Sequence, residues 1–267
     1  MDAAVATAAP LAGRNIVVTR PADQAEHLAQ ALVAQGAHPV LFPVLAIAPL
    51  DDVSPLLDVA IRLDGFDLAV FVSANAIAQS LNVILARRKW PTGLRAATMG
   101  RSSERELQKF GITEIISPQE RFDSEGLLAL PGLQDMAGKR VVIFRGDGGR
   151  DLIFDTLKER AATVEYVTAY RRFCPASDPA PLLKFWQDGK LDAVTLTSSE
   201  GLRNLWEILG KFGQSWLKKT PVFVPHARIA EQARLLGLQH ISITGPGDDG
   251  LVAGLVDYFH EQRSRTA

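Results

Sequence analysis

Two hydroxyl-rich runs, Ser73-Ala-Asn75 and Thr197-Ser-Ser199, each end a β-branched stretch and precede apolar residues at helical spacing. Ser, Thr and Asn have two uses at such a place. They cap a helix by accepting its first free amide hydrogens, or, together with those amides and the helix dipole, they bind a carboxylate or phosphate. Their presence in both parts of the chain favours two sites facing one anionic ligand. Gly100-Arg-Ser-Ser103 marks a third junction, with Arg101 at the helix start, and Pro225-His-Ala-Arg228 a fourth, where His226 and Arg228 add cationic or protonatable side chains. Ser124-Glu-Gly-Leu-Leu128 and Asp248-Asp-Gly-Leu-Val252 also read as helix starts, with a polar cap and early acids that suit the dipole.

The run Arg145-Gly-Asp-Gly-Gly-Arg150 has the look of a phosphate loop but lacks the Lys-Ser/Thr ending, and Asp151 breaks the three-glycine dinucleotide pattern. It leaves a flexible turn whose two arginines either grip a carboxylate in a bidentate fork or lie solvated. Tyr170, at the end of the strand preceding Arg171-Arg172, either packs with its hydroxyl in water or donates a proton to a leaving oxygen. His226 has no Cys, Asp or second His nearby in sequence, which is poor support for a metal. Cys174 follows two arginines that favour the thiolate but has no histidine close in sequence, so it reads as a bystander.

These residues are positioned by a repeat. Gly13-Arg-Asn-Ile-Val-Val-Thr-Arg20 aligns with Gly138-Lys-Arg-Val-Val-Ile-Phe-Arg145, and Asp67-Leu-Ala-Val-Phe-Val-Ser73 with Asp192-Ala-Val-Thr-Leu-Thr-Ser198, both at an offset of 125. With a one-residue shift the match continues through Gly111 and Gly237, and Gly126 and Gly250. Strands are expected at Ile16–Thr19, Pro39–Phe42, Leu68–Val72, Ala96–Met99, Glu114–Ile116, Val141–Phe144, Val164–Val167, Ala193–Leu196, Val222–Val224 and His240–Ile243. Spacings of three and four at Ile77, Leu81, Ile84 and Leu85, and at Leu202, Leu205, Trp206 and Leu209, predict helices between them. A helix after every strand gives an α/β fold: two similar halves, each a parallel sheet flanked by helices. Ligands of such sheets sit beyond the carboxyl ends of the strands, where the polar junctions fall.

Composition removes several alternatives. The chain has 267 residues, with 29 Lys+Arg against 30 Asp+Glu, so a net charge of −1 supplies no general attraction for nucleic acid or an acidic membrane. Hydrophobic residues make up 47 %, well above a disordered composition. A single cysteine excludes an internal disulfide and a Cys-rich zinc site. The longest apolar stretch, Val40–Leu50, contains Pro43 and Pro49 and is far below the roughly 20 residues of a membrane helix. Residues Met1–Gly13 carry no basic cluster before an apolar run and read as a frayed lead-in rather than a signal peptide. The expectation is a cytoplasmic protein.

In order, Val18-Thr-Arg-Pro21, Phe71-Val-Ser-Ala-Asn-Ala-Ile77, Gly100-Arg-Ser-Ser103, Ser124-Glu-Gly-Leu-Leu128, Arg145-Gly-Asp-Gly-Gly-Arg150, Tyr170-Arg171 and Thr197-Ser-Ser-Glu-Gly-Leu202 resemble uroporphyrinogen-III synthase, over roughly Arg14 to Phe259. The resemblance implies an enzyme that removes water from the linear tetrapyrrole hydroxymethylbilane, inverts its last ring through a spiro intermediate and closes uroporphyrinogen III without cofactor or metal. It also implies that the chain crosses twice between domains, one comprising residues 1–44 plus 173–267 and the other 45–172. By the resemblance, Tyr170 takes the place of a family tyrosine that lines the cleft and is a candidate to assist water loss. The eight carboxylates of the substrate would meet Arg20, Ser73, Asn75, Gly100, Arg101, Ser103, Ser124, Glu125, Gly126, Arg145, Arg150, Thr197, Ser198, Ser199 and His226. Ser103 stands where relatives often have Thr and keeps the hydroxyl, whereas Arg228 replaces a Thr of some relatives and inherits no role. The expected partner is a small molecule, and the expectation is a monomer that meets hydroxymethylbilane synthase transiently.

Holding a flexible chain folded is worth about 7–11 kcal/mol in well-oriented cases, more than the roughly hundred- to ten-thousand-fold of one general acid. Catalysis is therefore expected to be distributed. A two-domain glycosyltransferase would need a nucleotide pocket that the sequence does not offer, and a periplasmic-type binding protein would need an export signal.

Overall fold

The computed structural model describes residues 9–266. In chain order it contains β1 (Asn15–Val18), α1 (Glu26–Ala34), β2 (His38–Leu41), β3 (Ala46–Ala48), α2 (Ser54–Arg62), β4 (Leu68–Phe71), α3 (Ala74–Leu85), β5 (Arg95–Thr98), α4 (Arg101–Lys109), β6 (Ile115–Ile116) and α5 (Ser124–Leu128). It continues with β7 (Arg140–Gly146), α6 (Leu152–Glu159), β8 (Thr163–Phe173), α7 (Ala180–Gln187), β9 (Ala193–Thr195), α8 (Ser199–Leu217), β10 (Val222–Val224), α9 (Ala227–Leu235), β11 (Ile241–Ile243) and α10 (Gly247–Thr266). These elements form two compact units. One takes the described residues up to Ala46 and from Phe173 on, the other takes Ile47–Arg172.

The first unit has a five-stranded sheet, β11-β10-β9-β1-β2, parallel throughout. The second has a six-stranded sheet, β3-β8-β7-β4-β5-β6, in which β4 to β8 pair in parallel. Alternate side chains of the central strands explain why both faces need helices. Leu68, Val70, Val141 and Ile143 pack with Leu127 of α5 and Leu157 of α6, while Ala69, Phe71, Val142 and Phe144 pack with Leu56 of α2, Leu81 of α3 and Leu107 of α4. In the first unit Ile16, Val18 and Phe223 meet α1 and α10, and Val17, Val194 and Val222 meet α7, α8 and α9. Strands buried on both faces read as continuous apolar runs, as these do.

The repeat survives in bond-level detail but does not coincide with the units. Asp67 Oδ2 accepts the amide of Arg140 at 2.9 Å, and 125 residues later Asp192 Oδ2 accepts the amide of Asn15 at 2.8 Å. Each aspartate begins a strand in one half of the repeat and binds the first strand of the other half. The piece β1-α1-β2 thus completes the sheet of the second half, and β7-α6-β8 completes that of the first.

Several expected elements need correction. No helix follows β2; the chain passes Pro43 and enters β3, an unforeseen strand whose three residues lie between two prolines. β7 extends through Gly146, so Arg145 and Gly146 are strand rather than turn, and β8 runs to Phe173 rather than stopping at Val167. Of the expected lead-in, residues 1–8 lie outside the described part, and the remainder is not frayed. Leu11 is fully buried and its amide donates to the Gln35 carbonyl at 2.8 Å. Among the described residues no helix is long and apolar enough to cross a membrane.

Candidate active site

In the second unit, the carboxyl ends of β4 and β7 are held level by the stacking of Phe71 on Phe144, 4.9 Å between ring centres, and by the Val72 amide donating to the Phe144 carbonyl. Thr98 ties the next strand to them by donating to the Phe71 carbonyl at 3.0 Å. Beyond this edge Ser73 caps α3, its Oγ accepting the Ala76 amide at 3.1 Å. Asn75 is the second residue of that helix.

Tyr170 lies inside β8 rather than at its end, and is only 5 % exposed. A buried phenol needs a partner. It has one in Ser73, with Oη and Oγ 3.2 Å apart. The register explains how the ring gets there: Arg145 pairs with Thr168 but Gly146 with Tyr170, so Ala169 is an extra residue that re-aims the strand. Gly146 then lies under the ring, where a Cβ would sit 2.8 Å from Cε2 and Cζ.

The arginines of the neighbouring loop are engaged by the protein itself. Arg145 donates to Asp151 at 2.8 Å and lies 4.4 Å from the centre of the Tyr166 ring, and Tyr166 donates to the same carboxylate at 2.9 Å. Burial, reinforced by that bond, pushes the Tyr166 phenol up to about 12. Arg150 forks onto Glu125 at 2.7 and 3.1 Å, which with a backbone bond holds the Glu125 carboxyl down at about 2. Both guanidinium groups therefore already hold a carboxylate of the protein.

Other expected contacts resolve differently. The side chain that caps α5 belongs to Asp123, which accepts the Gly126 amide at 2.8 Å. Ser124 is instead the first helical residue, buried, with its hydroxyl against Met99 Sδ. Gly126 is dictated by space, because a Cβ there would stand 1.9 Å from the Arg121 carbonyl oxygen; Gly250 meets the Gly245 oxygen at 2.2 Å in the same way. Gly100 caps α4 in ordinary extended backbone, Arg101 is exposed with its guanidinium 5.7 Å from the Phe122 ring centre, and Ser103 is buried.

In the first unit, Ser198 caps α8 by accepting the Gly201 amide at 2.9 Å, with Thr197 before it and Ser199 opening the helix. Arg20 pairs with Asp248 in the first turn of α10, and the other oxygen of that carboxylate lies 2.8 Å from His27 Nδ1. His226 stands at the cap position of α9 but makes no side-chain cap bond, and Arg228 is the second residue of that helix. Cys174 does not have the lowered thiol pKa that its arginine neighbours suggested; burial, helped by Glu207, pushes it up. Among the described residues no cluster of His, Cys, Asp or Glu could hold a metal ion.

Within the second unit, therefore, the fold brings together Tyr170 with Ser73, and Arg150 with Glu125; Asn75, Gly100, Arg101, Ser103, Ser124 and Gly126 lie at the starts of α3, α4 and α5, and Arg145 lies in β7 against Asp151. Sequence reasoning missed Asp123, Gly146, Asp151 and Tyr166 as members of this edge. Asp123 had a signal, since it stands 125 residues before Asp248. The others are joined by cross-strand contacts without a sequence pattern.

The chain matches the family model described as uroporphyrinogen-III synthase HemD over residues 26–253. It is 35 % identical to the uroporphyrinogen-III synthase of Escherichia coli K12 over 244 residues, 90 % of this chain and 99 % of that one. It is 31 % identical to that of Synechococcus elongatus over 78 % of this chain and 79 % of that one. A crystal structure of a uroporphyrinogen III synthase mutant from Thermus thermophilus shares the fold with a TM-score of 0.64 and 17 % identity, covering 94 % of this chain and 99 % of that one. The Helicobacter pylori uroporphyrinogen-III synthetase does so with 0.56 and 12 %, covering 94 % and 100 %.

Proposed function

The chain belongs to the uroporphyrinogen-III synthase family, and from that premise we propose that Tyr170 is the acid through which it removes water from hydroxymethylbilane. The protein is a lyase of tetrapyrrole biosynthesis, closing hydroxymethylbilane to uroporphyrinogen III with inversion of ring D. Loss of the terminal hydroxyl leaves a cation stabilised by its pyrrole, so the acid must protonate an oxygen as the carbon–oxygen bond breaks. The observation that carries the assignment is the seat of Tyr170: a buried phenol at a strand bulge, over a glycine with no room for a Cβ. A packing tyrosine needs neither the bulge nor the bare glycine.

The helix starts at Ser73, Gly100 and Ser198, together with Arg20, Arg101, Arg145, Arg150 and His226, supply the donors for substrate carboxylates in this reading. The enzyme acts as a monomer in the cytoplasm and takes its substrate in transient contact with hydroxymethylbilane synthase; the free, exposed thiol of Cys174 suits a reducing compartment. Hydroxymethylbilane made enzymatically and incubated with the protein should give the type III isomer in place of the type I isomer that closes spontaneously. Type I alone would overturn the function, and type III formed at an undiminished rate by Tyr170→Phe would remove Tyr170 from it.

A further inference from the structure

We propose that Ser73 is a positioning residue for the proton transfer, its hydroxyl donating to the Tyr170 oxygen so that the phenol's own hydrogen is left for the departing hydroxyl. This rests on the assignment of Tyr170 as the acid.

A serine hydroxyl has one hydrogen and two lone pairs. The Ala76 amide already donates to Ser73 Oγ at 3.1 Å, and the other contact of that oxygen is Tyr170 Oη at 3.2 Å. Were the phenol the donor, its proton would be committed to Ser73. With Ser73 donating, the chain of bonds runs from the Ala76 amide through the serine to the phenol oxygen, each polarising the next. When the phenol O–H bond breaks, its hydrogen goes to the leaving oxygen, the carbon–oxygen pair departs as water, and the negative charge stays on an oxygen already facing a hydroxyl and the start of α3. The phenolate regains a proton when the pyrrole carbon that forms the closing bond sheds its hydrogen, so the protein ends as it began. The bulge and Gly146 hold the ring against drift from this line.

The first unit supplies an internal contrast. Ser198 makes the same cap, yet among the described residues its hydroxyl has no second hydrogen-bond partner, and the side chain recorded near that turn is Val44. A serine needed only as a cap requires no phenol beside it.

The experiment uses Ser73→Ala, Ser73→Thr, Ser198→Ala and Tyr170→Phe in the full chain. Melting temperature, kcat and KM for hydroxymethylbilane are read for each variant. Ser73→Ala should lower kcat about tenfold to a hundredfold while KM stays within about twofold. Ser73→Thr, which keeps hydroxyl and cap, should restore kcat. Ser198→Ala should lower the melting temperature about as much as Ser73→Ala does, its loss of activity lying in KM rather than kcat. A parental kcat in Ser73→Ala, a loss confined to KM, or no rescue by threonine in a folded protein, overturns the proposal. If the unaltered protein yields only the type I isomer, the underlying function fails instead; if Tyr170→Phe is slow but Ser73→Ala keeps the parent's kcat, only the serine's role fails.

Discussion

Ser73 and Ser198 stand 125 residues apart and cap α3 and α8 with matching bonds of 3.1 and 2.9 Å. What faces the caps differs. At the same offset, Gly146 and Tyr170 of the second unit correspond to Pro21 and Leu45 of the first, neither of which carries a hydroxyl. Duplication has kept the scaffold, including the two glycines that approach backbone at Arg121 and Gly245, and has set a tyrosine against the capping serine in the second unit. A cap worth about 1 kcal/mol serves stability equally in both units; the contact of Ser73 with the buried Tyr170 has no counterpart at Ser198 among the described residues.

The strongest way to break this contrast is Tyr170→Phe. It should lower turnover by about a hundred- to ten-thousand-fold while circular dichroism and melting remain near those of the parent; a fall in activity matched by unfolding would make the residue structural. Next comes Gly146→Ala, whose methyl group must displace the ring from Ser73. Turnover should fall about a hundredfold, in line with a misplacement of roughly 1 Å, and an active variant would show that the seat is not required.

Gly126→Ala and Gly250→Ala sharpen the shared part of the comparison. Each forces a Cβ against a carbonyl oxygen, and each should cost about 1–3 kcal/mol in denaturant unfolding. Unequal costs would mean that the two helix starts are less alike than their contacts indicate. The smallest effect belongs to Arg150→Gln. Glu125 titrates at about 2 in the folded protein, below its ordinary 4.5, so its stabilising contribution is present above the ordinary value and is lost as pH falls towards 2. In the variant that carboxyl should return towards its ordinary value, which carbon NMR of the carboxyl can follow. The melting difference between parent and variant should also shrink as the solution is acidified below about pH 4. A carboxyl that stays low would assign the shift to backbone donors instead.

Most of the fold was legible. Runs such as Leu68–Phe71 and Val141–Phe144 are buried on both faces and carry a signal that survives without partners, as does the spacing of Ile77, Leu81 and Ile84 in α3. β3 was not legible, because Ala46–Ala48 between two prolines has too few side chains to set a period. The extension of β8 was hidden by Arg171 and Arg172, which alternate in exposure like strand residues but read as a polar boundary. In the site, the caps at Ser73 and Ser198 could be read from residue type, whereas the choice of Asp123 over Ser124 as the cap of α5 rests on backbone geometry that two adjacent polar residues leave open.

By itself the sequence determined the duplication, the parallel strands, the helix starts at their ends and the candidacy of Tyr170. It left the pairing of the halves degenerate. Asp67 meets the amide of Arg140 and the ammonium of Lys139, while Asp192 meets the amide of Asn15 and the guanidinium of Arg14. Because the first strands are near copies, either aspartate could bind either of them with the same chemistry. Only the tertiary structure decided that each half completes the other's sheet. It also set the bulge at Ala169 that turns Tyr170 onto Ser73, because a phenol and a hydroxyl 97 positions apart meet only when strand register brings them within 3.2 Å.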